Sequence, residues 1–320
     1  MDSELRLKLQ GFQDGVEAFQ NTLYNKSGKY ERVEPPLKAL CDMAQLVHAH
    51  VTKIGIAFKP PVSVKAASQC VDDCAKMVPL MLAVYLGMDK DKDGVLLCME
   101  TRARLQALMS ALSAMLIELL RVDTSPDTAE SKSADSTLTS IGMVWQTCDH
   151  LKSLPTEGLQ GVASTKLQEF SGMIQDSLQD IKEWIEDPSS NDFDFDDFDD
   201  DDQAESEGAG EPGEELVNLA KKWQDRLVKV DFLYKSIIKR RLKLLQDDDI
   251  EKVYACANDL SAKFDDLIGS IMERIDIQEI NDLAKETEDE VRKLVDLVVL
   301  RDQQDQFVKW IDLFNANFYK

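Results

Sequence analysis

Between Asp187 and Glu215 the chain reads DPSSNDFDFDDFDDDDQAESEGAGEPGEE, with fourteen acidic residues and no lysine or arginine. A stretch of this composition cannot bury enough apolar surface to offset the entropy lost on ordering it. Pro188, Pro212, Gly208, Gly210 and Gly213 punctuate it further. It is expected to be a disordered acidic linker, and it divides the chain into two blocks that must each fold on their own pattern. The implied organisation is an N-terminal helical bundle over 1–187, a linker over 188–213 and a C-terminal helical bundle over 214–320.

The blocks on either side are helical in pattern. Leu5, Leu9, Phe12, Val16, Phe19 and Leu23 alternate spacings of four and three, one apolar stripe on one helix. Pro35-Pro36 suits the first turn of a second helix running to about Phe58. A third, opened by Ser63 and closed at Gly87, holds Pro79 inside it, which must kink it or shift its start. A fourth over Leu96–Val122 is apolar over a wide arc and suits the centre of a bundle. The fifth and sixth span Thr137–Leu151 and Gly158–Glu186. After the linker come stripes over Leu216–Leu244, from Ile250 to Ile271, over Ile277–Leu300, and one around Phe307, Trp310, Ile311 and Phe314; the last two could be one helix or two. No run alternates convincingly as a strand. The fold class is therefore all-α, two antiparallel helical bundles with mostly short connections.

The net charge of −23 narrows the function. Without the tract's fourteen charges the remainder stands at −9, and neither block is basic, so direct nucleic-acid binding is not expected. An acidic excess repels DNA and anionic membranes and attracts basic partners. The opening MDSELRLKLQ has no apolar core, so no signal peptide is expected. Apolar stretches broken by charge suggest no membrane span. Six cysteines without a secretory signal read as free thiols in a reducing compartment, hence a cytoplasmic and nuclear location.

Asp89–Glu100, DKDKDGVLLCME, fits the calcium-loop template, with Asp89, Asp91, Asp93, the Val95 carbonyl and Glu100 as ligands and Gly94 at the turn. Against it stand Leu97 at the ninth position, the lack of a second loop, and Pro79 in the entering helix. The segment is read as a charged helix–helix connection. Cys70 and Cys74, with His48 and His50 on the preceding helix, match no standard zinc spacing, and the two histidines point to different faces. They are read as packing residues, and His150 as a surface or capping residue. No phosphate loop, nucleophile elbow or paired-carboxylate signature occurs. No catalytic, cofactor or metal residue is assigned, and no enzyme is expected. Within the tract, Phe193, Phe195 and Phe198 interleave with aspartates. Two readings are open: a spacer with incidental aromatics, or a docking segment whose rings fill a pocket while its carboxylates meet a basic rim.

The runs AVYLGM, GVLLCMETRARLQALMSALSAMLIELL and VDTSPDTAESKSADSTLTSIGMVWQTCDHLKSLP resemble the cyclin-D-binding (GCIP) family. Ala83–Leu86, Gly94–Leu120, Ser125-Pro126, and Val144-Trp145 with Cys148 occur in that family's order, and an acidic insertion between helical halves matches too. The resemblance implies bundles of the α-catenin/vinculin kind without catalysis. It also implies binding to D-type cyclins and helix-loop-helix regulators that restrains cell-cycle progression or transcription. The alternative from another class is a vinculin/talin-like helical adaptor in cytoskeletal assembly.

Overall fold

In the computed structural model, residues 2–24, 30–59, 61–121, 131–187, 213–300 and 305–320 are described, without the side chains of 131–135. All regular structure among them is helical. The tract expected to be a disordered linker, Phe193, Phe195 and Phe198 included, lies outside the described residues. Contacts divide the chain into two units, 1–162 and 163–320.

In the first unit, α1 (Ser3–Tyr24) buries the predicted stripe from Leu5 to Leu23. It packs on α3 (Val64–Ala75) and α6 (Val95–Arg121), while α2 (Pro36–Ala57) packs on α3 and α4 (Met77–Leu86). The single helix expected from Ser63 to Gly87 is thus two. Pro79 falls at the third residue of α4, where its missing N–H forfeits no helical bond. A one-turn helix α5 (Lys90–Asp93) leads into α6.

α6 buries Leu105, Leu108, Leu112, Met115, Leu116 and Leu119 in the core of this unit, the central role its wide apolar arc requires. It also corrects one expectation. By length and composition α6 is apolar enough to cross a membrane. The reason is that Glu100, Arg102 and Arg104 crowd its beginning, leaving Glu118 as the only charge from Leu105 to Leu120.

The fifth and sixth predicted helices both form within α7 (Ser131–Glu186), as two helices that meet at a kink where Gly158 takes φ 57°, ψ −170°, three residues after Pro155. This backbone conformation is open essentially to glycine alone. The first half of α7 lies along α2: Trp145 Nε1 donates to Thr52 Oγ1 at 3.1 Å and stacks on His48.

The second half of α7 belongs to the second unit. Ser171 Oγ bonds Asp231 of α8 (Glu214–Arg240) at 2.5 Å, and Phe170 lies against Tyr234 of α8 and Tyr254 of α9 (Asp247–Met272). The border expected at 187 therefore differs from the contacts, which place 163–186 with the residues after the tract. The physical reason is the stripe of Leu167, Phe170, Ile174, Ile181 and Trp184, which finds its apolar partners on that side. A 3₁₀ turn (Leu242–Leu244) comes after α8, and α10 (Ile277–Val298) and α11 (Gln306–Phe318) complete the unit. The last two patterns are two helices, with Asp305 capping α11 through the N–H groups of Phe307 and Val308. At the centre Trp223 meets Phe264 and Phe318 edge-on. Arg226, 3% exposed, lies over Trp223 and Phe318, donates to the Phe318 carbonyl at 3.0 Å and pairs with Glu288.

Candidate protein-interaction surfaces

Three carboxylates of the calcium-loop template, those of Asp89, Asp93 and Glu100, are engaged by the fold. Asp89 accepts from the Asp91 N–H and caps α5. Arg32 grips both oxygens of Asp93, at 2.5 and 2.7 Å. Glu100 accepts from Arg104 Nε at 2.7 Å, one turn along α6. Gly94, at φ 86°, separates α5 from α6, so the segment is a helix–helix connection.

Arg104 also gathers the end of α7's first half. Its Nη1 donates to the His150 carbonyl at 2.5 Å and to Ser153 Oγ at 3.0 Å, and its Nη2 to Glu157 at 2.5 Å. The guanidinium holds the Glu157 carboxyl below the usual carboxylate range. His150 thus serves this contact through its backbone. The sequence offers no signal for the clasp, because Arg104 and Glu157 are fifty-three positions apart.

Cys74 and Cys148 are buried, and burial pushes both thiols up, Cys148 to about 12. Among the described residues no group of three or more His, Cys, Asp or Glu is placed to hold a metal ion. Cys70 and Cys74 lie on α3, and His48 is occupied with Trp145.

Two surfaces expose apolar side chains in ways that suit a protein partner. The first is on the α2–α7 pair. A Cβ on Gly55 would come within 2.7 Å of Ile141, so the helices touch closely there. At the same end Ile56 and Leu138 are 63% and 50% exposed.

The second is the outer face of α8. Val228 and Phe232 are exposed there, and Lys235 and Lys239 continue the same stripe at spacings of three and four. Arg240 and Lys243 extend it. Among the described residues no carboxylate pairs with Lys239, Arg240 or Lys243, whereas Lys235 bonds Asp231. Beside the stripe, a groove of about 450 Å³ runs between α7 and α8, lined by Leu178, Gln179, Lys182, Gln224, Asp225 and Val228. The sequence gives little signal for this face, because basic residues at a helix C-terminus equally serve to complement the helix dipole.

Comparison with known proteins bears on these surfaces. A protein of Schizosaccharomyces pombe with no assigned function is 26% identical over 294 residues, covering 90% of this chain and 85% of its own length. A second such protein, from Saccharomyces cerevisiae, is 23% identical over 313 residues, covering 88% and 85%. The cyclin-D1-binding protein 1 homolog of Danio rerio is 28% identical over 152 residues, 45% of this chain and 40% of that protein. The sequence model of the Grap2 and cyclin-D-interacting N-terminal domain matches residues 39–187, a span that takes in most of α2 and all of α6 and α7. Over residues 39–187, this chain is similar to the N-terminal domain of the Grap2 and cyclin-D-interacting family.

Proposed function

We propose that this chain is a non-enzymatic interaction protein that restrains cell-cycle progression or transcription by binding a D-type cyclin or a helix-loop-helix regulator, in cytoplasm and nucleus. The observation that carries the reading is the match of residues 39–187 to a cyclin-D-interacting domain. The zebrafish relative, whose name states cyclin-D1 binding, supports the same partner class.

The mechanism is stoichiometric masking: helix faces of the matched domain cover a partner's surface. Ile56 and Leu138 are the natural anchors, because each lies in the matched span and each gains roughly 1.5–3 kcal/mol on full burial. Purified chain mixed with a D-type cyclin should give a one-to-one complex on a sizing column. Ile56→Asp with Leu138→Asp should weaken it with helicity unchanged. No complex at micromolar concentration with either partner class, or capture of actin-linked proteins instead, would defeat the reading.

A further inference from the structure

We propose that the outer face of α8 is a docking site for this chain's own acidic tract, which lies along Val228, Phe232, Lys235 and Lys239 and covers them. The reasoning begins with where the tract is attached. Ser171 meets Asp231 and Phe170 meets Tyr234, so the second half of α7 and α8 are antiparallel neighbours. From Ser171 to Asp187, and from Asp231 back to Glu214, is in each case roughly 25 Å of helix. The two ends of the tract are therefore level with each other at one end of the pair, and the stripe on α8 rises from that end.

Reach decides which parts can meet. Phe232 lies roughly 27 Å up α8 from Glu214. Phe198, eleven residues past Asp187, can extend roughly 36 Å, and the fifteen residues from Phe198 back to Gly213 can span roughly 50 Å. Phe193 and Phe195 reach only as far as the α7–α8 groove at Leu178 and Val228. Asp199 and Asp200 reach Lys235 and Lys239 with enough chain left to return.

Order and charge agree with reach. Moving away from the attachment, the tract runs Phe193, Phe195, Phe198 and then Asp199 to Asp202. In the same direction the surface runs groove, Val228, Phe232, and then Lys235, Lys239, Arg240 and Lys243. Rings meet apolar surface and carboxylates meet cations with both chains in one register. Attachment at both ends gives the tract a high effective concentration at this face, so a weak contact suffices to occupy it. In a chain of net charge −23 the stripe is also a surface to which an acidic segment is drawn. The inference does not depend on the cyclin reading.

The test is chymotrypsin cleavage after Phe193, Phe195 and Phe198 in the full chain. Replacing Lys235, Lys239, Arg240 and Lys243 with Glu is expected to speed cleavage several-fold, and raising salt to about 1 M, where screening acts within ~3 Å, should speed cleavage of the natural chain towards the same rate. A labelled peptide of residues 188–203 provides the second measurement. It should bind the Phe193→Ser, Phe195→Ser, Phe198→Ser chain, whose stripe is vacated, more tightly than the natural chain. Equal cleavage rates for the natural and charge-reversed chains would overturn the proposal. So would equal peptide binding to both chains, or protection that appears only as protein concentration rises, which would mean that a second copy supplies the tract.

Discussion

At the scale of single residues, the fold has committed side chains that the sequence left open. Asp93 is held by both arms of Arg32 and Glu100 by Arg104, so a calcium ion would have to displace two guanidinium pairs. Calorimetry is therefore expected to show no calcium binding in the range of about 10⁻⁷ to 10⁻⁵ M typical of sensor loops; micromolar binding abolished by Glu100→Gln would contradict this. The thiols give a second measurement. Cys74, Cys98, Cys148 and Cys256 are buried, and burial raises the thiols of Cys74, Cys148 and Cys256, the last two to about 12, so these three present no thiolate near neutral pH. A thiol reagent at pH 8 should label at most Cys41 and Cys70 in the native protein and all six in denaturant. Arg226 supplies a third. Arg226→Ala leaves Glu288 and the Phe318 carbonyl without their donor, and should cost about 3 kcal/mol in urea unfolding.

At the scale of elements, the bend in α7 is the feature with the clearest physical signature. Nothing lies within 4 Å of a Cβ built on Gly158, so Gly158→Ala meets no neighbour and its cost is purely that of the backbone conformation. Unfolding should register a loss of about 1–3 kcal/mol. The neighbouring clasp is pH-dependent. Its Glu157 carboxyl is lowered by Arg104 from an ordinary value of 4.5, so its contribution is present above that value and fades as pH falls through the depressed one. Glu157→Gln should lower the melting temperature at pH 7, and the difference from the natural chain should shrink towards pH 3. The helices themselves were legible, because apolar spacings of three and four survive folding: the stripes of α1, α2, α6, α8 and α9 are buried nearly as spaced. The division of labour within α7 was not. Pro155 and Gly158 mark the kink between its two helices, but only the packing on either side shows that the second of them belongs with the residues after the tract.

At the scale of the molecule, the acidic tract interrupts the second unit instead of separating the two. Cutting within 188–212 should therefore give fragments that stay together on a native sizing column and part in denaturant, because Phe170, Ile174, Ile181 and Trp184 remain buried in the second unit. For the same reason a fragment of 163–320 should melt cooperatively, whereas 214–320 alone should not. Composition sets the tract apart from the helical patterns on either side, but it has no means of saying which helices flank one another across it. The interaction surfaces were hidden for a related reason. Ile56 and Leu138 read as ordinary members of apolar helices, and only the packing of α2 on α7 leaves them outside.

The sharing of α7 between the two units sets an order of events on the ribosome. When residue 186 has been made, everything that the first half of α7 packs against already exists, and nothing that the second half packs against does. Its apolar stripe must wait while the tract and then α8 and α9 are added, on the order of ten seconds at ordinary rates of synthesis. The segment that leaves the exit tunnel directly behind that stripe is the most acidic stretch of the whole chain. Nascent chains that would otherwise meet through their unfinished helices thus carry, at the time of greatest exposure, a mutually repelling segment beside them.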